Sequence, residues 1–430
     1  MVIARDQKPN LVSHLPIDLG LKMPRVNPKI LQWARETAGL TLDNAANKLS
    51  IGDARGVTAV ERLVGYETGE GEPSRSLLVR MAKQYRRPLL AFYMAEAPRT
   101  GDRGQDFRTL PPEHSRTQDA LVDALVRDVR ARQSMVRAIL EEEDEEVRLT
   151  YVGSMKIRDG IPAVLESIKK TLALDLHLYR NGGHNEGGRS GFAYIRHQAE
   201  QAGIYVLLIG NLGSHHTNLD VETFRGFALA DEVAPFIVIN DQDAEAAWTF
   251  TLLHELCHIW LGETGVSGAS AGTQVEQFCN DLAGQFLLPA EELNEFLNLV
   301  GAGVGPLSIK IIEFAHRRHV SCSMVAYKLY REGMITQVVW RNLSNSFRAQ
   351  WLKSREDRRE QTRDREGGPN YYVVRRHRLG EALVTLARRM VAGRALSPTK
   401  AARVLGVKPS NVYSLLNGDP SRSAAATAVG

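Results

Sequence analysis

The segment His254-Glu-Leu-Cys-His258 constrains the fold of this 430-residue chain more than any other sequence feature. Residues four apart lie on the same face of an α-helix, so a helix here presents both imidazoles to one metal ion. Histidine nitrogens bind Zn²⁺ at about 2.0–2.1 Å. The alternative is two surface histidines that pair with carboxylates. Apolar neighbours favour a buried metal-binding helix instead, and these are Phe250, Leu253, Trp260 and Leu261.

A third protein ligand is required, because a catalytic zinc site takes three protein ligands and leaves the fourth position for water. Glu276 is the preferred candidate, since it follows His258 by 18 residues on a second predicted helix, 275–288. The loop between the two helices is long enough to fold the second helix back. Glu263 lies too close to the end of the first helix, and Asp281 falls on another face of the second.

The remaining chemistry of such a site falls to residues beside the ligands. Glu255 is placed to accept a proton from the attacking water and to pass it to the leaving amine. Asn280, one turn after Glu276, is expected to orient a ligand. Cys257 and Cys279 lie near the ligands and are expected to fill space as small apolar residues. The oxyanion stabiliser is unassigned, with three candidates by residue type: Tyr327, His316 and His319.

The elements around the motif predict a helix-rich α+β fold. Residues 204–209 and 235–240 are rich in β-branched and aromatic residues and are predicted as strands. Asp241 or Asp243 is expected to cap the helix that carries the two histidines, and Gly262 to end it. A long amphipathic helix is predicted over 117–147.

Charge is divided unevenly along the chain, although the net charge is only +4. Residues 1–100 carry +5, residues 101–340 carry −12 and residues 341–430 carry +11. Basic ends around an acidic centre predict different partners for different segments. Three cysteines, no secretory leader and no long apolar run predict a cytoplasmic protein without membrane contact.

Two longer segments resemble the ImmA/IrrE family of metallo-endopeptidases, in its form fused to an XRE-type helix-turn-helix domain. They are Trp248-Thr-Phe-Thr-Leu-Leu-His-Glu-Leu-Cys-His258 and Val275-Glu-Gln-Phe-Cys-Asn-Asp-Leu-Ala-Gly-Gln-Phe-Leu-Leu-Pro289. The resemblance covers about residues 28–335. Further matching positions are Asp106-Phe-Arg108, Val320-Ser321 and the segment from Tyr327 to Tyr330.

The resemblance implies a zincin-like domain with a small sheet, in which His254, His258 and Glu276 bind Zn²⁺ and Glu255 is catalytic. Family members typically cleave a partner repressor. By class, this implies a protein substrate, a repressor or antitoxin encoded nearby, whose cleavage switches a stress response or a mobile element. A homodimer is compatible with the sequence. The alternative is a non-enzymatic DNA-binding regulator whose central domain senses an acyl-CoA or another small molecule or a partner.

The basic C-terminal end predicts a second helix-turn-helix-like module. Ala402, Gly406, Val412 and Leu415 have the spacing that its packing needs, and Ser397-Pro398 suits a helix start. In such a module the first side chains of the recognition helix meet DNA bases, while nearby arginines contact phosphates. The predicted DNA contacts are Lys408, Ser410, Asn411, Tyr413, Arg375 and Arg376.

The predicted XRE-like domain near the N-terminus, residues 29–97, departs from the usual XRE sequence pattern. Ala46 and Leu63 are 17 residues apart where the motif expects ten, and Ser50 replaces the usual turn glycine. We expect the fold to survive because residues 52–56 can loop out. The sequence leaves open whether this domain contacts DNA bases directly. The predicted segments are a leader (1–28), an XRE-like domain (29–97), a linker with a long helix (98–150), an ImmA/IrrE-like domain (151–340), a charged linker (341–370), a helix-turn-helix-like domain (371–418) and a tail (419–430).

Overall fold

The chain divides into two compact units, Met1–Arg99 and Thr100–Gly430. A computed structural model describes residues 25–54, 56–98, 116–181, 191–214, 217–267, 274–299, 301, 303–363 and 370–417. Residues 1–24 of the leader, the segment that carries Asp106-Phe-Arg108 and the tail lie outside these ranges. The last residues of the leader are described, and Pro28 begins the first helix. No helix within them is long and apolar enough to cross a membrane.

The first unit is a small helical bundle. Side-chain oxygens cap each of its four helices by accepting from a backbone N–H of the first turn, which satisfies groups that a helix start leaves open. Its core contains Leu31, Leu63, Met81 and Phe92. The helices are α1 (Pro28–Thr37), α2 (Leu42–Lys48), α3 (Ala59–Thr68) and α4 (Arg75–Tyr85), followed by a 3-10 segment at Leu89–Tyr93.

The long connection between α2 and α3 leaves the core of this unit intact. Ser50 adopts the left-handed conformation with φ 52° that a turn glycine would take. Ala46 and Leu63 are both buried in the common core, although ten residues separate the two helices. A buried ion pair supports the same bundle: the Arg35 guanidinium donates to both carboxylate oxygens of Glu67 at 2.8 Å.

The second unit is built on a four-stranded sheet with the order β1-β3-β2-β4. β1 (Tyr205–Leu208) pairs in parallel with β3 (Phe236–Ile239), while β2 (Gly226–Leu229) pairs antiparallel with β3 and with β4 (Gly265–Ser267). The two strands predicted from sequence are confirmed, each slightly shorter than expected, and β2 and β4 are additional. The predicted helix-rich α+β class is confirmed.

One face of the sheet packs on a large helical layer. Its inward side chains include Val206, Ala228 and Ile237, and they join the core formed by the helix with the two histidines. The helices of this core and its surroundings are α6 (Ile161–Leu172), α7 (Leu176–Asn181), α8 (Gly191–Gln201), α9 (Glu245–Leu261), α10 (Gln274–Leu287), α11 (Val304–Arg318), α12 (Cys322–Arg331) and α13 (Gln337–Arg363), with 3-10 segments at Ile157–Asp159 and Ala290–Leu299.

The opposite face of the sheet is also covered. Leu207, Phe227 and Val238 point to this side and share a second core with helices from distant parts of the chain. Alternation along β1, β2 and β3 therefore buries side chains on both faces, as the fully buried patterns of these strands show. The covering helices are α5 (Arg116–Glu142), α14 (Tyr371–Leu379), α15 (Glu381–Ala392), α16 (Pro398–Leu405) and α17 (Val412–Leu416), with a 3-10 turn at Pro409–Asn411.

The division of residues 98–418 into a linker, a domain, a second linker and a terminal domain stays a prediction, while the structure places the described residues from 116 to 417 in one compact unit. α5 and α14–α17 belong to the same compact unit as the sheet, because its second apolar face requires cover. Much of the predicted charged linker is helical, since α13 continues to Arg363. The predicted long helix is confirmed as α5, which ends at Glu142 rather than at residue 147.

Candidate metal centre

α9 carries the two histidines as a helix that is buried on nearly every side. Every residue from Thr251 to Leu261 is buried, as expected for a helix inside a large core rather than on its surface. Its end at Gly262, with φ 71°, confirms the predicted stop. Its start is not capped by Asp241 or Asp243, because Ala244 occupies the cap position and Asp241 pairs with Arg378 instead.

The structure brings together the three side chains predicted as metal ligands. The Nε2 atoms of His254 and His258 lie 3.1 Å apart. The two carboxylate oxygens of Glu276, from α10, lie 3.2 Å from Nε2 of His254 and 3.2 Å from Nε2 of His258. These residues are 3%, 0% and 7% exposed. Three ligand-type side chains therefore converge on one buried point from two helices.

These separations fit a tetrahedral zinc site. Ligand atoms about 2.0–2.2 Å from a common ion at tetrahedral angles are separated from each other by about 3.3–3.6 Å. The two nitrogens are 3.1 Å apart, and each lies 3.2 Å from a different oxygen of Glu276, so the side chains stand slightly closer together than that range. Two imidazoles and a carboxylate are also one of the ligand sets that catalytic zinc sites use.

Asn280 fixes the orientation of His254. Its Oδ1 accepts a hydrogen bond from Nδ1 of His254 at 2.9 Å. In the neutral imidazole that would bind a metal, only one nitrogen carries a proton, so this bond would leave the Nε2 lone pair directed at the site. Without an ion, Nε2 can instead carry a proton and donate to Glu276, 3.2 Å away. The predicted orienting contact is therefore present, and it is of the kind that tunes metal-bound histidines.

The charge state of Glu276 suits a ligand. Burial raises the pKa of this carboxyl, but hydrogen bonds and attraction from His254 and His258 outweigh burial and lower its pKa to about 2. The carboxylate is therefore ionised at neutral pH. An ionised oxygen ligand between two imidazole nitrogens has the affinity for a divalent cation that a protonated carboxyl lacks.

Cys279 is a second ligand-type group at this point, which the sequence interpretation treated only as filler. Its Sγ and one nitrogen from each of His254 and His258 all lie within 4.8 Å of one another. Burial raises the pKa of the Cys279 thiol, and a hydrogen bond with Cys257 raises it further. A metal ligand must be the thiolate, whereas the Glu276 carboxylate is already ionised and lies 3.2 Å from both imidazoles, so these observations favour Glu276 over Cys279 as the candidate third ligand.

Glu255 is held between α9 and β2. Its side chain is fully buried, and a Cβ added at Gly226 of β2 would lie 2.8 Å from its Oε1 and 2.6 Å from Thr251. The glycine is therefore required for this close approach of helix and strand. Sequence reasoning missed Gly226, because its importance depends on a neighbour from another element.

The structure shows where the three candidates for oxyanion stabilisation lie and what they contact. The Tyr327 hydroxyl donates to Asp281 at 3.4 Å. His316 and His319 are exposed at the end of α11, where His319 has a left-handed backbone with φ 55°. These contacts provide no support for an oxyanion role for any of them.

The predicted DNA contacts fall into two groups. Lys408, Ser410 and Tyr413 are exposed, and Asn411 is half-buried beside them. Arg375 instead donates from Nη2 to the carbonyl oxygens of Leu405 and Gly406, both at 2.8 Å, so its guanidinium is used at the end of α16.

The helix that follows Asn411 is short. α17 has five residues, fewer than a recognition helix in a DNA groove normally has. The Nε of Arg376 donates to the carbonyl oxygen of Tyr372 at 3.3 Å. Three of the residues expected to pack this module are nevertheless buried: Ala402, Val412 and Leu415.

Comparison with known proteins identifies the part of the chain that contains this centre. No curated protein and no solved structure matches the chain. Residues 199–330 match the model of the Peptidase_M78 family, described as the IrrE N-terminal-like domain. The matched range contains β1–β4, α9–α11 and all of α12 except Arg331, and with them every residue of the proposed centre. The central part of the chain is therefore similar to the IrrE N-terminal-like domain of a peptidase family.

Proposed function

We propose that this protein is a zinc-dependent endopeptidase. The observation that carries the proposal is the convergence of His254, His258 and Glu276 within 3.2 Å of one another at a buried point. The similarity of residues 199–330 to a peptidase family supports the same reading. In this proposal all three side chains hold the ion, with His254 oriented by Asn280.

A zinc ion at this position would polarise the carbonyl of a peptide bond and make a nearby water more acidic. The protein supplies the proton transfers. Glu255 follows His254 directly in the helix, and its carboxylate is kept in place by β2. We assign it as the base that takes a proton from the attacking water and returns it to the leaving amine.

The low-dielectric surroundings of the centre strengthen these roles. Leu253, Leu256 and Ile259 on α9 are fully buried, and so is Glu255 itself. Charges act more strongly on one another where water is excluded. The substrate class, a transcriptional repressor or antitoxin encoded nearby, is part of the proposal and rests on the family resemblance alone.

Cleavage of the neighbouring gene product tests the proposal. The purified full chain is incubated with that protein in the wild-type form and as Glu255→Gln, with Glu245→Gln as a matched control at an exposed position of the same helix. Loss of a general base slows such reactions about 10²- to 10⁴-fold, so we expect Glu255→Gln to be at least about 100-fold slower. The control should cleave like the wild type. Equal cleavage by all three forms would contradict the assigned mechanism.

A further inference from the structure

A cavity of about 450 Å³ lies at the carboxyl end of β1, between the strand end and the C-terminal helices. β1 is an edge strand, whereas Glu255 packs against β2, two strands away in the order β1-β3-β2-β4. The cavity is therefore separate from the metal centre. Carboxyl ends of parallel strands such as β1 and β3 are common ligand sites, because the chain turns away there and leaves a crevice.

One wall of the cavity is a single face of α14. Four lining residues follow the helical spacing i, i+3, i+4 and i+7, which places them in one stripe. They combine an aromatic ring, an apolar side chain and two guanidinium groups: Tyr371, Val374, Arg375 and Arg378.

The facing wall is the end of α16, at Gly406 and Lys408. Gly406 has φ 58°, and a Cβ at this position would overlap with Nη2 of both Arg375 and Arg132. The glycine therefore allows two guanidinium groups to approach the same backbone turn. Arg132 comes from α5, so three distant segments of the chain meet at this point.

Positive charge is in excess around the cavity. Arg375, Arg378 and Lys408 line it, and no carboxylate is among its lining residues within the described ranges. Asp241 balances Arg378 at 2.7 Å, and Asp128 balances Arg132 at 2.6 Å. No ion pair of comparable length is found for Arg375 in the part of the chain that the structure describes.

Two arginines at this point, Arg375 in the lining of the cavity and Arg132 beside Gly406, have buried donor groups that remain unused. The Nε of Arg375 and both Nε and Nη1 of Arg132 are buried without a hydrogen-bond partner among the described residues. The Arg132 side chain is only 8% exposed. Burial, followed by repulsion from Arg132, lowers the pKa of Arg375 to about 10. A bound anion would stabilise the Arg375 guanidinium, because buried charges and buried donors without partners cost free energy.

We propose that this cavity binds the phosphoryl group of a small phosphorylated molecule. Guanidinium groups present planar pairs of donors that match phosphate oxygens, and Lys408 adds a mobile charge at the rim. Tyr371, which is 52% exposed, offers an aromatic face for a planar group attached to the phosphate. The volume falls within the range of small-molecule sites, and the concave shape suits a compact ligand better than a DNA duplex.

Isothermal titration calorimetry of the full chain with inorganic phosphate, adenosine 5′-monophosphate and adenosine tests the proposal. We expect the monophosphate to bind with a Kd below about 1 mM and adenosine to bind at least about tenfold more weakly. Lys408→Gln should weaken binding of the monophosphate about tenfold, because one charge-assisted contact is lost. Lys400→Gln, at an exposed position of α16 outside the cavity, should leave the Kd unchanged.

Tyr371→Ala distinguishes the contributions of the two parts of the ligand. This substitution should weaken binding of the monophosphate and leave binding of inorganic phosphate unchanged. The proposal would be overturned by absence of binding for both phosphates, or by equal affinities of wild type and Lys408→Gln. Binding of a 20-base-pair duplex that depends on Lys408, without binding of the monophosphate, would also overturn it and assign this surface to DNA.

Discussion

The Asn280 side chain favours the form of His254 with its proton on Nδ1, and in the proposed metal centre a single residue outside the ligand set would thereby orient a ligand. The 2.9 Å hydrogen bond holds the imidazole of His254 on α9 in a fixed orientation relative to Asn280 on α10. Rotation of the imidazole would move Nε2 away from Glu276. In the proposed centre the contact would therefore contribute to zinc binding without touching the ion.

Asn280→Ala should lower zinc affinity about 10- to 100-fold, the usual effect of removing a partner of a metal-bound histidine. Competition with a chromophoric chelator measures this affinity directly. Asn298→Ala, at an exposed position, serves as the control and should bind zinc like the wild type. Unchanged affinity in Asn280→Ala would show that another group orients His254.

Gly226→Ala should destabilise the protein by about 1–3 kcal/mol, because the new Cβ meets Thr251 at 2.6 Å and Glu255 at 2.8 Å in a closely packed layer. Urea denaturation measures the change. Gly305→Ala in α11 is the matched control: it meets no atom within 4 Å and should stabilise by about 0.5–1 kcal/mol. A Gly226→Ala protein as stable as the wild type would contradict the packing between α9 and β2.

At the scale of secondary-structure elements, a buried ion pair joins α8 to the junction of α14 and α15. Arg196 donates to Glu200 at 3.1 Å and to the carbonyl oxygens of Val206 and His377 at 2.6 and 2.7 Å. Glu200 accepts from the backbone N–H of Glu381 at 3.0 Å, at the start of α15. A carboxylate there also interacts favourably with the helix dipole.

Glu200→Ala should therefore lower the free energy of unfolding by about 3–5 kcal/mol, because it leaves the Arg196 charge buried without its partner. Denaturant unfolding of the full chain gives the value. Glu166→Ala removes an exposed pair with Lys169 on α6 and should change stability by less than about 1 kcal/mol. Similar values for the two variants would show that the pair does not hold the C-terminal helices.

Local sequence patterns predicted β1, β3, α5 and α9 because each has a strong periodicity or a run of β-branched residues. β2 (Gly-Phe-Ala-Leu) and β4 (Gly-Val-Ser) carry no such run, and their pairing depends on β3. The two histidines could be predicted as neighbours because one helix places them. Glu276 required the further assumption that α10 folds back.

Contacts between distant segments explain what the sequence could not predict. Arg196 and His377 are 181 residues apart, and no local pattern connects them. Arg375 was predicted as a phosphate contact of DNA because it lies in a basic run, yet its Nη2 donates to two carbonyl oxygens at the end of α16. Composition identifies a basic segment but not which of its charges the fold uses internally.

At the scale of the whole second unit, the basic C-terminal segment is one layer of the fold. α14–α17 and α5 cover the sheet face that contains Leu207, Phe227 and Val238. The net charge of +11 in residues 341–430 is thus carried by a segment whose apolar side chains complete a core. The division of charge along the chain does not correspond to a division into independent domains there.

Truncation tests this dependence. A chain that ends at Arg363 should expose the apolar sheet face and aggregate or lose its cooperative unfolding, because large exposed apolar patches are unfavourable in water. A chain that ends at Asn417 retains every described helix and is the control. Size-exclusion chromatography and thermal denaturation distinguish the two. A monodisperse, cooperatively folding chain of residues 1–363 would contradict the shared core.

The zinc content of the purified protein tests the central claim most directly. After mild purification and inductively coupled plasma mass spectrometry, the wild type should contain about one equivalent of zinc per chain. His258→Ala and Glu276→Ala should each contain less than about a tenth, since a buried site that loses one of three protein ligands binds weakly. Less than about a tenth of an equivalent in the wild type, even after incubation with zinc, would contradict the proposed metal centre and with it the peptidase.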